Sequence, residues 1–408
     1  MIHPLRRSLI GAILPALAVL PCALESASAQ DRIAVLSEAG TPVVATEVLV
    51  AAGPADEPEG KAGLTYLAAR AVTTPILPLL DSLGARLAVQ PQKDGVAFTL
   101  TAAPDVWQEA TRTLLVSIFR DPPQGATVIR ERDAVQAELL SRQSNPADAA
   151  SREADAALYG RDHPWGRPTV GTPESVAALT VGDVDAYLRS AFTSDRVVVA
   201  VVGPVDPEAV RAHLLDYINA GGRLTADIEP IRPEASPVRR EYNSITTWTS
   251  VSYRFPAVTD LEALRFLAQL ALDDLEFSPQ RRSVFNARAE ITPRLSGGEL
   301  RFQVVTPPEE AEDWAGRILD VVEAVAREPM LEDRFEARLR RYRGERLYSL
   351  ASPEDRAREL ARELLVRGET EGLAAALESM TVERVRAAVA RLSAPIVLFL
   401  GPFQDDAV

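Results

Sequence analysis

Apolar residues along the chain follow two spacings, one typical of β-strands and one typical of amphipathic helices. In the first half, β-branched or alternating segments predict strands at 41–53, 85–102 and 196–202. The Lys-Asp-Gly turn at 93–95 predicts that 85–102 is a hairpin. Helical periodicity predicts helices at 61–72, 105–119, 126–143, 147–158 and 180–192.

The second half repeats this order of elements. Strand patterns occur at 245–255, 285–305 and 395–400. Helical patterns occur at 260–273, 309–327, 331–348 and 352–367. Runs of strands followed by runs of helices favour an α+β fold, in which a mainly antiparallel sheet is covered on one face by helices.

Two pairs of segments indicate that the chain is a tandem duplication of one module. Both "TVGDVDAYLRSAFTSDRVVVAVVGP" (180–204) and "TVERVRAAVARLSAPIVLFLGP" (381–402) run from Thr-Val through a helix and a strand to Gly-Pro. Trp107 and Trp314 occupy equivalent positions in a second pair of similar segments, one in each half. The segment 223–242 is rich in Pro, Gly and charge and has no apolar period, which predicts a linker. The expected domains are therefore an N-terminal domain, 32–222, and a C-terminal domain, 243–404.

The first residues have the pattern of a secretory signal peptide, 1–29. Arg6 and Arg7 precede an apolar run, and Ala27-Ser28-Ala29 is a small-residue cleavage site. The run is too short to span a membrane permanently, and no later stretch is long enough. We therefore expect a periplasmic or secreted bacterial protein without a membrane span. Lipidation at Cys22 stays open, although the preceding proline makes a poor lipidation motif.

Composition narrows the possible chemistry. The formal net charge of −14 disfavours nucleic acid and anionic lipid as partners. Cys22 is the only cysteine, so the chain after the signal peptide has no thiolate for catalysis or metal binding. His163 and His213 are the only histidines there, and they lie in different predicted elements. We therefore do not expect either to be a metal ligand.

Four segments together resemble the insulinase/pitrilysin metallopeptidases. The most specific is "HPWGRPTVGTPESVAALT" (163–180), and the others are "DEPEGKAGL" (56–64), "ERDAVQAEL" (131–139) and "SGGELRFQVVTPPEE" (296–310). The length is similar to that of the short, processing-peptidase-like branch. The resemblance implies a two-domain half-clamshell that pairs with a second subunit.

The signature of this family is H-x-x-E-H on one helix, in which two histidines bind zinc and the glutamate polarises water. Alignment on Gly63-Leu64 places Tyr66 and Arg70 at the histidines and Ala69 at the glutamate. Arginine has no lone pair to donate, tyrosine is largely un-ionised at neutral pH, and alanine can transfer no proton. The resemblance therefore implies a degenerate metal site.

The helix that carries the third zinc ligand in this family retains its carboxylates. Glu138 matches the distal ligand and Glu131 matches its hydrogen-bonding neighbour. One carboxylate without two imidazoles is not a zinc site. Two interpretations remain: both glutamates lie on a solvated helix face, or Glu138 pairs with Arg70.

Active relatives also hold the substrate carbonyl with an arginine and a tyrosine of the second domain. Alignment on Gly297-Gly298 places Ser278 and Phe285 at these positions, so neither residue type is retained. Arg281 and Arg282 lie close enough that a slip in the alignment would change this conclusion.

These observations predict a non-catalytic subunit without a cofactor of its own. It would help to enclose peptides, and zinc would be held by a partner subunit with an intact H-x-x-E-H motif. One alternative is a free-standing peptide-binding or scaffold protein with the same fold. Another is an active metallopeptidase with an unorthodox site, which the ligand chemistry disfavours.

Overall fold

A computed structural model of the chain describes residues 29–219, 224, 230–276, 283–327, 332–368, 370 and 373–402. Its strands are β1 (Ile33–Ser37), β2 (Val44–Val50), β3 (Arg86–Gln92), β4 (Gly95–Ala102), β5 (Val197–Gly203), β6 (Val238–Glu241), β7 (Thr247–Phe255), β8 (Asn286–Arg294), β9 (Gly297–Thr306) and β10 (Ile396–Gly401). The helices of the first half are α1 (Leu64–Thr73), α2 (Leu77–Ser82), α3 (Trp107–Phe119), α4 (Gly125–Arg142), α5 (Pro146–Tyr159), α6 (Pro173–Ala177), α7 (Val181–Ala191) and α8 (Pro207–Leu214). Those of the second half are α9 (Leu261–Glu276), α10 (Ala311–Arg327), α11 (Glu332–Ser349), α12 (Pro353–Arg367), α13 (Leu373–Glu378) and α14 (Val382–Val389).

Each half contains one five-stranded sheet, and the two sheets have equivalent strand orders. The first is β1-β5-β2-β4-β3 and the second is β6-β10-β7-β9-β8. All pairs are antiparallel except β1 with β5 and β6 with β10. The predicted α+β fold and its repetition are therefore confirmed. The strand patterns did not reveal β1 or β6, and β6 lies within the segment predicted to be a linker.

Helices of the same half bury one face of each sheet. In the first half, the core joins Val48 and Phe98 to apolar residues of α1, α3 and α7. In the second half, it joins Val251 and Phe302 to α9, α10 and α14. The alternation of side chains along a strand leaves the opposite face of each sheet in need of a cover.

The opposite face of each sheet is covered by a helix from the other half. Ala361, Leu364 and Leu365 of α12 pack on Leu49 and Val198 of the first sheet. In return, α5 packs on β7 and β10 of the second sheet, where it joins a core that includes Leu398. The prediction of helices on one face was therefore incomplete, and the exchange of α5 and α12 joins the halves through apolar surface.

A buried ionic network also joins the halves. Asp155 of α5 contacts Lys93 Nζ at 2.9 Å and Arg301 Nη2 at 2.6 Å. Glu299 lies 3.3 Å from both Arg294 and Arg301. Burial would raise the pKa of Asp155, but the positive charges of Lys93 and Arg301 outweigh burial and lower it to about 2. Removing one member would therefore leave a buried charge without its partner.

Among the described residues, every helix is too short or too polar to cross a membrane.

Candidate functional site

The helix α1, predicted from the sequence to match the metal-binding helix of the family, begins at a tight backbone contact. Gly63 precedes it with φ of +91°, and a Cβ atom there would lie 2.7 Å from the carbonyl oxygen of Val170. Glu57 caps the helix by accepting hydrogen bonds from the backbone N–H groups of Gly63 (3.2 Å) and Thr65 (2.8 Å). The backbone at the start of α1 therefore requires a glycine at position 63, the first residue of the Gly-Leu pair used for the alignment.

The side chains of α1 divide between the core and a cleft against α4. Leu64, Leu67 and Ala68 are buried in the core of the first half. Ala69, at the position of the catalytic glutamate, is also fully buried. Tyr66 is only partly buried and faces the cleft, so α1 keeps its packing role although the residues at the motif positions differ.

Arg70 forms the centre of an ion-pair cluster in this cleft. Its Nε and Nη2 atoms lie 3.1 and 3.0 Å from Oε2 of Glu131, and its Nη1 atom lies 3.1 Å from Oε2 of Glu138. Both carboxylates come from α4, where a spacing of seven residues places them on one face of the helix. The guanidinium therefore connects α1 to α4 where the family would hold a metal.

Tyr66 completes the cluster. Its hydroxyl oxygen lies 3.3 Å from Oε2 of Glu138, to which it donates, and it accepts from Nη1 of Arg70 at 3.4 Å. Burial by itself would lower the pKa of Arg70, but the hydrogen bond with Tyr66 and the charge of Glu131 outweigh burial and raise it. The guanidinium therefore stays protonated throughout the physiological range.

The residues of this cluster do not fit a zinc ion. A structural or catalytic zinc site needs at least three lone-pair donors around one point. Here the cleft contains the guanidinium of Arg70, and its positive charge is already paired with the carboxylates of Glu131 and Glu138. No group of three or more His, Cys, Asp or Glu suited to a metal occurs in the part of the chain that the structure describes.

The structure decides between the two interpretations of the α4 glutamates. Glu138 does pair with Arg70, as the second interpretation stated. A solvated helix face is wrong for Glu131, which is only 4% exposed. Glu131 is contacted by Arg70 of α1, and α1, α6 and α7 all pack on α4. The sequence spacing indicated a shared face but not its burial.

The two histidines have packing roles in separate places. His163 Nδ1 accepts a hydrogen bond from the backbone N–H of Trp165 (3.0 Å), and its ring stacks on Tyr159. The ring of His213 on α8 packs edge-on against Trp107, with centroids 5.5 Å apart, and burial lowers its pKa. Neither contributes to the cluster around Arg70.

The positions aligned with the substrate-carbonyl residues lie in the second half. Phe285 is 67% exposed and directly precedes β8, where its backbone N–H donates to Val305 O (2.9 Å). A phenylalanine ring offers no hydroxyl for a carbonyl. Ser278, Arg281 and Arg282 lie outside the described residues.

Several known proteins resemble part of this chain in sequence. No family model matches. An uncharacterized zinc protease of Mycobacterium tuberculosis strain H37Rv is 36% identical over 103 residues, which are 25% of this chain and 23% of that protein. A similar protein of Mycobacterium leprae is 38% identical over 109 residues, 27% of this chain and 24% of its own length. The match thus spans about a quarter of the curated relatives.

Similar solved structures cover nearly the whole chain. A structure described as a peptidase M16 inactive domain, from Pseudomonas fluorescens, has a TM-score of 0.76 at 20% identity and covers 91% of this chain and 96% of its own. An M16-like peptidase from Alicyclobacillus acidocaldarius has a TM-score of 0.75 at 17% identity, with the same coverage. The predicted resemblance to the insulinase-type, or M16, peptidases is confirmed. At this level of identity, the structural likeness concerns the M16 fold, and the role of this chain is argued from its own residues.

Proposed function

We propose that this chain is a non-catalytic subunit of a secreted insulinase-type zinc metallopeptidase. A partner subunit with an intact H-x-x-E-H motif supplies the zinc and the general base. The chain described here contributes part of the wall around a bound peptide and is not an enzyme on its own. The signal-peptide pattern of residues 1–29 supports a location in the periplasm or outside the cell.

One observation carries this proposal: the guanidinium of Arg70 lies in the cleft of the aligned metal site and contacts both carboxylates of α4. Since a guanidinium keeps its charge and has no lone pair, it repels a metal cation and cannot act as its ligand. Restoring the family motif would require three substitutions, at Tyr66, Ala69 and Arg70. A metal-dependent reaction centred on α1 therefore has no support in this chain.

The edges of the two sheets support the peptide-binding part of the proposal. Within the described residues, β3 and β8 are the last strands of their sheets and have no outer strand partner. The end of β3 with the turn after it, residues 90–94, and the end of β8, residues 290–294, line one pocket of about 480 Å³ between the halves. An extended peptide can add to such an edge through main-chain hydrogen bonds, which require no particular side chain.

The proposal is tested first on the isolated full chain. We expect elemental analysis to find no stoichiometric zinc and a fluorogenic peptide assay to find no cleavage. A matched variant, Tyr66→His with Arg70→His, places two imidazoles near Glu138 and should bind zinc. Its control, Tyr66→Gln with Arg70→Gln, should not. Stoichiometric zinc in the wild-type chain would contradict the proposal.

The partner is tested by affinity purification of the tagged chain from its native source. We expect a protein with an intact H-x-x-E-H motif to co-purify and the complex to have chelator-sensitive peptidase activity. Recovery of the chain alone, with peptide binding retained, would instead favour the free-standing peptide-binding or scaffold protein. Chelator-sensitive cleavage by the chain alone would favour an unorthodox active site.

A further inference from the structure

A second pocket, of about 280 Å³, lies at the junction of the halves and shares no lining residue with the cluster around Arg70. Its apolar wall includes Tyr159, Trp165 and Phe255, each at most 5% exposed. Tyr159 and Trp165 pack edge-to-face with ring centroids 5.4 Å apart. Because Tyr159 and Trp165 are held in one apolar core and Phe255 in another, the wall is fixed, and the body of a ligand would contact the small part of each ring that is exposed.

Two arginines lie on the rim of this pocket. Arg254, near the end of β7, is half-buried, and Arg391, in the segment between α14 and β10, is exposed. Neither forms an ion pair within the described residues, although 25% of the whole chain is charged. No carboxylate lines the pocket in the part of the chain that the structure describes. The pocket therefore combines an apolar wall with an uncompensated positive rim.

The nearest carboxylate by register is already committed to other partners. Arg254 lies opposite Glu299 in the β7–β9 pair, so both side chains are on the same face of the sheet. Glu299 instead lies 3.3 Å from both Arg294 and Arg301. The network to which it belongs contains as many cations as carboxylates: Lys93, Arg294, Arg301, Asp94, Asp155 and Glu299. It has no spare negative charge for Arg254.

We propose that this pocket binds a small carboxylate with an apolar body about the size of one amino acid. The two guanidinium groups would form charge-assisted hydrogen bonds to the carboxylate, and the aromatic wall would contact the apolar part. The volume is near the lower end for small-molecule sites. A free acid and the last residue of a peptide share this chemistry. The inference concerns the isolated chain and holds with or without the partner subunit of the proposed function.

Isothermal titration of the full chain with N-acetyl-L-phenylalanine tests the site, with N-acetyl-L-phenylalaninamide as the uncharged matched ligand. We expect the carboxylate to bind at least about tenfold more tightly than the amide. Arg391→Gln should weaken binding about tenfold, because it removes one charge-assisted hydrogen bond. Since Arg391 is exposed, this variant should unfold at the same temperature as the wild type.

Two further variants keep the test specific. Arg254→Gln should weaken carboxylate binding about as much as Arg391→Gln. Arg340→Gln removes an exposed arginine on α11 outside the pocket and should leave binding unchanged. Equal binding of acid and amide, wild-type affinity in Arg391→Gln, or no binding of either ligand would each overturn the proposal.

The source of the carboxylate is distinguished by a pentapeptide ending in phenylalanine, with a free or an amidated carboxyl terminus. Tight binding of the free-terminus peptide alone would support the pocket as a site for peptide ends. Binding of N-acetyl-L-phenylalanine without binding of either peptide would support a site for a free small acid. Whichever of these ligands binds, Arg391→Gln should weaken its binding about tenfold.

Discussion

Ion pairs join equivalent helices in the two halves, but the helices that carry the arginine and the carboxylate are exchanged. In the first half, the arginine is on the helix after the central strand: Arg70 of α1 contacts Glu131 and Glu138 of α4. In the second half, the carboxylate is on that helix: Glu262 of α9 lies 3.1 Å from Arg346 of α11. Ion pairs between helices therefore bridge the predicted metal cleft of the first half and the corresponding helices of the second half.

The two clusters differ in their access to water. The side chains of Arg70 and Glu138 are about a third exposed, at 30% and 32%, whereas Arg346 and Glu262 are 9% and 7% exposed. Arg346 also lies 2.6 Å from Glu359 of α12, so the second cluster extends to the helix exchanged between the halves. Solvent screening weakens the first cluster, so the two should differ in their effect on stability.

The largest expected effect comes from breaking the buried cluster of the second half. Glu262→Gln would leave Arg346 and Arg265 short of one negative charge in a buried site. Loss of one partner from a buried ion pair costs about 3–5 kcal/mol in the free energy of unfolding. Urea unfolding followed by circular dichroism measures this difference.

The control for that variant removes both charges of the pair. Combining Glu262→Gln with Arg346→Met should recover part of the lost stability, because the remaining Arg265 and Glu359, 2.7 Å apart, then form a matched pair. A double variant that is no more stable than the sum of the two single losses predicts would show that Glu262 and Arg346 do not act as a pair.

The second prediction concerns Glu47, a buried carboxylate of the first sheet. Glu47 of β2 is buried and accepts a hydrogen bond from Thr99 Oγ1 at 2.6 Å, whereas the cross-strand pair Ser250 and Gln303 of the second sheet carries no charge. Burial raises the pKa of Glu47 from 4.5 to about 7, although Thr99, Arg358 and Arg362 oppose the shift.

The sign of its pH dependence follows from linkage. Because the folded pKa lies above the unfolded one, the native state holds the proton more tightly. The contribution of Glu47 to the stability of the folded protein is complete below pH 4.5 and is lost as the pH rises through about 7. This loss corresponds to about 3 kcal/mol in the free energy of unfolding. Glu47→Gln keeps an acceptor for Thr99 and should flatten the unfolding free energy between pH 5 and 8. An unchanged slope in this variant would assign the dependence to other groups.

The third prediction concerns the exposed cluster of the first half. Arg70→Met should lower the free energy of unfolding by about 1–2 kcal/mol, because Glu131 is buried but its partner is partly screened by solvent. Urea unfolding at low and high salt measures this effect. A loss as large as that of Glu262→Gln would contradict the difference in exposure between the halves. The matched control is Arg340→Met, at an exposed site on α11.

Much of the fold could be predicted because strands and helices differ in apolar spacing, and the duplication supplied a second example of each element. The shared helix face of Glu131 and Glu138 followed from their spacing on α4. The exchange of α5 and α12 could not be predicted, since an apolar stripe such as that of Leu364 and Leu365 is the same whichever sheet it covers. Likewise, β6 is short and charged, and only pairing with β10 makes it a strand.

The residues around Arg70 could be named from the sequence, but their burial and their full hydrogen bonding could not. Sequence spacing cannot show that Glu131 is buried, because burial depends on the approach of distant segments of the chain. The residues of the second pocket were missed for the same reason. Arg254 and Arg391 are far apart in the chain, and the available signal was only the absence of a nearby carboxylate partner for each.

The smallest expected effect concerns the hydroxyl of Tyr66. Tyr66→Phe removes the hydrogen bond to Glu138 and the acceptor for Arg70, while the ring keeps its place. A partly exposed hydrogen bond contributes about 0.5–1.5 kcal/mol, and both contacts here are long, so we expect a loss of about 0.5 kcal/mol in the free energy of unfolding. A double-mutant cycle with Arg70→Met should show that most of this loss disappears once the guanidinium is gone. Full additivity would mean that the hydroxyl of Tyr66 acts through Glu138 independently of the guanidinium of Arg70.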